Sequence, residues 1–259
     1  MKNLMNFPLA VFVLSFVILW GAAQIGAHSL TRIRDLEQNE KDDFGFILGA
    51  TLTLLGLIIG FTFSMAIGRY DQRKNYEEEE ANAIGTEYVR ADLLPGANAE
   101  KIHALLSKYL DQRIVFYEDR DQDALRQINA DTAQLQNEMW FAVKDAALVQ
   151  PTPVAALVVS GMNDVLNRQG YTQAAWWNRI PVAAWGLMAA IAICCNLLIG
   201  FAARHAKDKF RNFMLMVLPL VISISFLLLA DIDSPRGGLI RVSPQNLLSL
   251  SQSLHPQGR

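Results

Sequence analysis

Two acidic groups are the parts of this sequence whose residue types could hold a metal ion or another inorganic ion. Asp231 and Asp233 follow an uncharged stretch and precede Pro235 and two glycines, which indicates a turn. Carboxylate oxygens are the ligands that calcium prefers, but two carboxylates fall short of its shell of about six to eight oxygens. The same pair could instead bind turn amides or form an ion pair with Arg69 or Arg73. The sequence favours the turn or ion-pair role over a calcium site.

Four consecutive glutamates, Glu77 to Glu80, form the second acidic group. The simplest interpretation is a solvated turn of helix, in which Arg73 pairs with Glu77 one turn later. In an oligomer, the charges of Arg69, Arg73, Glu77 and Glu80 would instead form rings that collect ions near a pore mouth. The pattern favours the solvated turn and leaves the pore-mouth interpretation as the alternative.

The sequence lacks the usual patterns of catalysis, phosphate binding and nucleic-acid binding. Its four histidines have no partners at metal-ligand spacing, and its only cysteines, Cys194 and Cys195, are adjacent and cannot form a disulfide with each other. No glycine-rich phosphate loop or nucleophile elbow is present. The net charge of −2 gives no basic surplus, so nucleic acid is not an expected partner. We predict no enzymatic activity and no cofactor, and calcium at Asp231 and Asp233 is the alternative left open.

Four stretches without Asp, Glu, Lys or Arg determine the expected fold class. They cover residues 3–31, 44–68, 180–203 and 212–230, and a helix needs roughly 20 residues to cross a bilayer core of about 30 Å. Backbone amides in hydrocarbon need partners in the same segment, so each stretch should be helical. The first stretch could also be a cleaved signal peptide, but it stays uncharged for longer than a signal needs. We predict an all-α membrane protein with four transmembrane helices in a lipid bilayer.

A polar segment with a helical pattern separates the second stretch from the third. Apolar residues recur every three or four positions over 98–118 and, less strictly, over 121–148. Residues 71–94 contain no proline and could continue the second membrane helix, whereas 154–166 form a short last helix. These limits predict membrane helices 1 and 2 in residues 1–68, a helical soluble domain in 69–179, membrane helices 3 and 4 in 180–230, and a C-terminal tail in 231–259.

Small residues follow one track along the second uncharged stretch. They recur every three or four positions, at Gly45, Gly49, Thr53, Gly56, Gly60, Ser64 and Gly68. Small-residue tracks let membrane helices approach closely, so packing against another helix is the simplest interpretation. The alternative is that this face, with Thr62 nearby, lines a narrow ion path that Ile58, Phe61 and Met65 constrict.

Charge counts do not decide the orientation in the membrane. The lysines and arginines near the ends of the four stretches are almost equally divided between the two sides, so the positive-inside rule has little force. Arg69, Arg73 and Lys74 cluster directly after the second stretch. This cluster favours a cytoplasmic location for the soluble domain and both termini.

Several short motifs together resemble the bestrophin-like domain family of membrane proteins. They run in the expected order from about residue 60 to 245 and comprise Arg69-Tyr70-Asp71-x-Arg73, Glu80-Ala81-Asn82-Ala83-Ile84-Gly85-Thr86, Arg90-Ala91-Asp92-Leu93-Leu94-Pro95, Tyr109-Leu110-Asp111-x-Arg113, Ile180-Pro181 and Asp231-x-Asp233-x-Pro235-x-x-Gly238. The resemblance implies a distant relation to bestrophins, which are pentameric anion channels gated by calcium in animals. It also implies a pore along the second membrane helix and a cytosolic helical domain.

The resemblance and the residues together give a leading hypothesis and an alternative. The leading hypothesis is a homo-oligomeric ion channel that conducts inorganic anions such as chloride. Beyond Asp231 and Asp233, no acidic cluster resembles the calcium site of bestrophins, so calcium gating does not follow. The alternative is a non-conducting membrane scaffold or sensor whose helical domain binds a protein partner.

Overall fold

The computed structural model of the chain describes residues 4–28, 38–203 and 208–254. Within these ranges it contains a short 3-10 helix, eight α-helices and no strand. The α-helices are α1 (Pro8–His28), α2 (Gln38–Ala91), α3 (Gly96–Glu118), α4 (Gln122–Val149), α5 (Pro153–Trp177), α6 (Val182–Ala202), α7 (Asp208–Asp233) and α8 (Gln245–Leu254). The predicted all-helical class is confirmed. The last residues of the first uncharged stretch and the end of the predicted tail lie outside the described ranges.

Four helical segments are long and apolar enough to cross a membrane, and they coincide with the four uncharged stretches. They lie in α1, in the first part of α2, in α6 and in α7. Pro181 directly precedes α6, where its missing amide hydrogen costs no helical hydrogen bond. Pro219 lies inside α7 without ending it. The four predicted membrane helices are confirmed.

The lengths of α2 and α5 bear on two of the predicted helix limits. Helix α2 runs for 54 residues, which confirms that the second membrane helix continues into the polar segment. The prediction that the last polar helix ends near residue 166 is wrong, because α5 continues to Trp177. Gly170 costs a helix interior about 1 kcal/mol, but the buried face continues past it through Thr172, Ala175 and Trp176.

The chain divides into two compact units. We call Met1–Arg69 with Arg179–Arg241 the apolar unit, and Tyr70–Asn178 with Val242–Arg259 the polar unit. One boundary falls inside α2, and another falls in the connection between α5 and α6. Residues 231–259, predicted as one tail, are therefore divided between the two units.

In the apolar unit, α1 packs against α6 and α7. Two glycines permit the closest approach of α1 to α6. A Cβ at Gly26 would overlap the Leu197 carbonyl, and a Cβ at Gly200 would overlap the Ala23 carbonyl. Lipid is as apolar as the side chains, so close backbone packing of this kind stabilises contacts between membrane helices.

The core of the polar unit is formed by α3, α4, α5 and α8 together with the second part of α2. One face of α3 is buried at three- and four-residue spacing, through Ile102, Leu105, Leu106, Tyr109, Leu110, Phe116 and Tyr117. Trp176 of α5 packs against Phe116 and Tyr117 with ring centroids 5.0 and 5.4 Å apart. The predicted helical periodicity of 98–118 therefore describes a real buried face.

Side-chain caps fix where two of these helices begin. Thr152 accepts a hydrogen bond from the Ala155 amide at 3.1 Å, with Pro153 in the first turn of α5. Asp121 accepts one from the Asp123 amide at 2.9 Å at the start of α4. Each such cap is worth about 1 kcal/mol, because it pairs an amide that has no partner inside the helix.

Candidate ion pathway and flanking charges

The membrane-spanning part of α2 is the least buried of the four apolar segments. Of its most apolar 18 residues, 6% are buried, compared with 22% to 50% in the other three segments. The large side chains of Phe46, Leu57 and Phe61 are 79%, 52% and 64% exposed. This surface is therefore available for contacts outside the chain.

The small-residue track of α2 lies on this free surface. A Cβ at any of its five glycines would meet no described atom within 4 Å; these are Gly45, Gly49, Gly56, Gly60 and Gly68. Thr53 and Ser64, the two hydroxyl residues of the track, are exposed as well. Packing against another helix of the same chain does not account for the track in the described structure.

The opposite face of α2 is buried within the chain. Leu55, Thr62 and Ala66 are at most 3% exposed and lie at the spacing of one helix face. The Thr62 hydroxyl donates a hydrogen bond to the Ile58 carbonyl at 2.8 Å. Thr62 was predicted to lie near the track. It instead points away from the track, and its hydroxyl is hydrogen-bonded within the helix.

The three large residues suggested as a constriction have different environments. Phe61 and Met65 are one helical turn apart and are 64% and 48% exposed. Phe61 follows Gly60 by one residue, a rotation of about 100°, so it flanks the track. Ile58 is only partly exposed and lies nearer the buried face. Phe61 and Met65 are the pair best placed to narrow a path along the track.

Asp233, the last residue of α7, contacts several polar groups within the apolar unit. Its side chain is 1% exposed, and it accepts hydrogen bonds from Arg179 Nε at 3.1 Å and from the Ile180 amide at 3.0 Å. Arg69 Nη1 lies 3.7 Å from the same carboxylate, which confirms the predicted ion pair. Arg179 is closer, although it was not among the predicted partners. Its position directly before the third uncharged stretch was the available indication.

Asp231 closes the turn that follows α7. Its two carboxylate oxygens accept hydrogen bonds from the Leu239 and Ile240 amides, each at 2.8 Å. A Cβ at Gly238 would lie 2.6 Å from the Asp231 carbonyl, so the close turn requires glycine. The described residues contain no group of three or more His, Cys, Asp or Glu that could hold a metal. The geometry of both acids fits the turn and ion-pair interpretation.

Arg73 is buried in the polar unit and caps the end of α5. It is 1% exposed, and it donates hydrogen bonds to the Ala175 and Asn178 carbonyls at 3.2 Å each. The last carbonyls of a helix have no partner inside the helix. A guanidinium there satisfies them and interacts favourably with the negative end of the helix dipole.

Glu77 caps the start of α8, as Arg73 caps the end of α5. Its carboxylate accepts hydrogen bonds from the Asn246 and Leu247 amides at 2.9 and 3.0 Å, and from the Asn246 side chain at 2.6 Å. The first amides of a helix are likewise unpaired, and a negative charge is stabilised there. Glu77 therefore attaches the C-terminal helix to α2.

Glu80 is the centre of a buried network that joins three helices. It pairs with Arg113 of α3 at 2.5 Å, and both side chains are 0% exposed. Tyr117 and Thr172 donate hydroxyl hydrogen bonds to the same carboxylate at 3.2 and 3.1 Å. Burial lowers the pKa of Arg113, but the charge and hydrogen bond of Glu80 together with the interactions of Tyr109 and Tyr117 outweigh burial, so the pKa of Arg113 is raised. Burial and the Glu80 charge both raise the pKa of Tyr117, which keeps its hydroxyl as a neutral donor.

The prediction of a solvated turn is wrong for Glu77 and Glu80. Arg73, Glu77 and Glu80, which the pore-mouth interpretation also used, are buried among partners and present no charge to solvent in the described structure. Glu78 is exposed, and Glu79 pairs with Arg168. Positions 73, 77 and 80 share one helix face. Their burial was not predictable from this spacing, because the residues that contact them are distant in the sequence.

A family model for the bestrophin-like domain matches residues 9–247. A variant of a bacterial bestrophin homologue from Klebsiella pneumoniae has a similar structure, with a TM-score of 0.70 and 12% identity over 96% of this chain and 97% of that chain. Another structure of a homologue from that organism has a TM-score of 0.67 and 13% identity over 95% and 96%. At such identities the likeness shows the fold. No curated protein matches the chain in sequence.

Proposed function

The chain belongs to the bestrophin-like domain family, and from that premise we propose that it forms a homo-oligomeric ion channel with α2 of each copy lining the pore. The characterised members of the family are ion channels. We assign the chain a role in ion conduction and no catalytic role.

The observation that carries the proposal is the free small-residue face of α2. A helix face that meets lipid gains by presenting large apolar side chains, as α1 does with Leu9, Val13 and Val17, which are 56% to 73% exposed. Gly56 and Gly60 offer lipid almost no side-chain surface. Small residues in membrane helices favour close contact with another helix or line a cavity. A ring of identical chains provides both.

The chemistry of this face suits a neutral, narrow path. Its glycines leave backbone groups accessible, and Ser64 adds a hydroxyl, so a passing ion would meet partial charges. Residues 44–68 contain no Asp, Glu, Lys or Arg, so no ring of full charges lies inside the membrane. Phe61 and Met65 flank the track and would form a hydrophobic constriction, which is a common way to gate a pore by excluding water.

We further propose a pentamer that conducts anions such as chloride, in keeping with the distant relation to bestrophins. We also propose that the protein lies in a bacterial inner membrane, with the polar unit and both termini in the cytoplasm. The cluster of Arg69, Arg73 and Lys74 after the second membrane segment supports this orientation. Reporter fusions at residue 120 and at the C-terminus should both be active in the cytoplasm, and a periplasmic signal from either would contradict it.

The experiment that tests the proposed function combines subunit number with ion flux. The purified full-length chain is weighed by native mass spectrometry and reconstituted into liposomes under opposing chloride and sodium gradients. We expect a mass of five 28.9 kDa subunits and a reversal potential near that of chloride. A stable oligomer with a sodium-like potential would overturn the anion assignment while leaving the pore.

The same experiment separates the channel from the alternative. A monomer or dimer without flux would overturn the channel and favour a scaffold or sensor, because one or two copies of α2 cannot enclose a path. Gly21→Leu on α1 is the matched control for a Gly→Leu substitution on the α2 track, such as Gly60→Leu, since a Cβ at Gly21 also meets no described atom within 4 Å. This variant should keep both the oligomer and the flux.

A further inference from the structure

A cavity of about 290 Å³ lies between α2 and α5 inside the polar unit. Its polar and charged lining comprises Glu79, Asn82, Thr86, Arg90, Asp164 and Arg168. Positions 82, 86 and 90 follow each other at one helical turn, so they lie on one face of α2. Glu79 and Arg168 form an ion pair with each other across the cavity.

Arg90 is the second arginine of this cavity and, unlike Arg168, has no ion-pair partner among the described residues. It forms no hydrogen bond or ion pair with any described residue. Its Nη1 atom would lie 2.5 Å from a Cβ at Gly161, so the side chain extends from α2 to α5. A guanidinium carries five N–H donors in a planar fork that matches two oxygens of a carboxylate or phosphate group.

Glu87, whose carboxyl group lies beside Arg90 at Gly161, does not form an ion pair with it. Glu87 is 0% exposed, and neither of its oxygens has a hydrogen-bond partner among the described residues. Burial raises the pKa of Glu87 to about 8; the Arg90 charge opposes this rise and Asp164 adds to it. At neutral pH Glu87 is therefore mostly protonated. Gly161 makes room for this arrangement, because a Cβ there would overlap Glu87.

We propose that this cavity binds a small oxyanion, a carboxylate or phosphate group, through the guanidinium of Arg90. The amide of Asn82 and the hydroxyl of Thr86 supply further donors from the same face of α2. Arg168 adds positive charge, most of which its pair with Glu79 cancels, and Asp164 is an exposed acid on the α5 side. The site goes beyond the proposed channel function and uses none of the residues assigned to the pore.

The binding of the oxyanion depends on the charge of Glu87. Below a pH of about 8, Glu87 is neutral and Arg90 is free for the ligand. As the pH rises above that value, the ionised carboxylate repels the ligand and attracts Arg90, so binding weakens. The charged groups that face Glu87 are Arg90 on its own helix and Asp164 on α5, with the Glu79–Arg168 pair at the cavity; α8 carries no charged residue in Gln245–Leu254.

Sulfate is the probe that tests this site, because its charge stays constant across the relevant pH range. Sulfate binding to the full-length protein in detergent is measured by calorimetry at pH 7 and pH 9. We expect wild-type affinity to fall about tenfold between the two, the factor that follows from ionising a group with a pKa near 8. Glu87→Gln should remove this fall, and Arg90→Gln should weaken binding at least about tenfold at pH 7.

Arg126→Gln is the matched control for the loss of a cation, since Arg126 is 81% exposed on α4. It should bind sulfate like the wild type. Equal sulfate affinity in Arg90→Gln and wild type would overturn the site, and so would an unchanged pH dependence in Glu87→Gln. Chloride that competes as well as sulfate would contradict the assignment to an oxyanion. Arg90→Lys, which keeps the charge but loses the fork, should recover only part of the affinity.

Discussion

Glycines occupy two contrasting environments in the apolar unit. Gly26 and Gly200, where α1 meets α6, have backbone carbonyls of the facing helix where a side chain would be. Gly56 and Gly60 of α2 face open space, and added side chains would meet no described atom within 4 Å. The residue type is the same, but the first pair is required by the fold of a single chain and the second is not.

This difference indicates that the glycines of the α2 track serve contacts outside the single chain. A glycine that fills no packing role within its own chain still weakens the helix by about 1 kcal/mol relative to alanine. Several such glycines on one free face therefore indicate a requirement outside the single chain. The proposed contact with other copies of α2, around a path for ions, would meet that requirement.

The largest expected effect comes from enlarging the packed glycines. Gly200→Leu should prevent the apolar unit from folding, because even a Cβ there overlaps the Ala23 carbonyl. The milder Gly200→Ala should lower the free energy of unfolding by about 1–3 kcal/mol, as overpacking usually does. Thermal unfolding in detergent measures both. A Gly200→Leu variant as stable as the wild type would show that the α1–α6 contact is not as close as described.

Enlarging the free glycines should have a smaller effect, on assembly rather than on folding. Gly60→Leu should leave the helical content and the unfolding of the subunit unchanged, because the described structure has open space at that position. It should nevertheless lower the fraction of oligomer in native mass spectrometry. Gly60→Leu that unfolds like Gly200→Leu would remove the distinction between the two environments.

The smallest of these effects concerns the large side chain beside the track. Phe61→Ala should leave both folding and assembly intact, since Phe61 is 64% exposed, and should raise ion flux several-fold by widening the path. Val13→Ala on α1, where the side chain is 58% exposed, is the matched control and should leave flux unchanged. Equal flux in Phe61→Ala and wild type, with the oligomer preserved, would exclude Phe61 from the constriction.

Much of the fold follows from local sequence. Uncharged stretches of sufficient length can only be helices in a membrane, so all four were predictable. The small-residue track on α2 was also visible, because its spacing repeats in the sequence. Whether Gly60 packs or stays free was not predictable, since the answer depends on where α1, α6 and α7 lie.

The buried charges of the polar unit were harder to foresee. Glu80 meets Arg113 across 33 residues, and Glu77 meets Leu247 across 170. A run of four glutamates resembles a solvated turn unless these distant partners are known. The burial of Glu87 was still harder to predict from the sequence, because a fully buried carboxyl group without a hydrogen-bond partner is rare.

Substituted-cysteine accessibility at Gly60 tests the central claim most directly. In a background with Cys194→Ser and Cys195→Ser, Gly60→Cys is reconstituted into liposomes and treated with a charged, membrane-impermeant thiol reagent. Val13→Cys, on the exposed face of α1, is the comparison. If α2 lines the pore, the reagent should react at residue 60 and block flux, whereas residue 13 should stay unmodified in the lipid. An unreactive Gly60→Cys in a conducting oligomer would contradict the account.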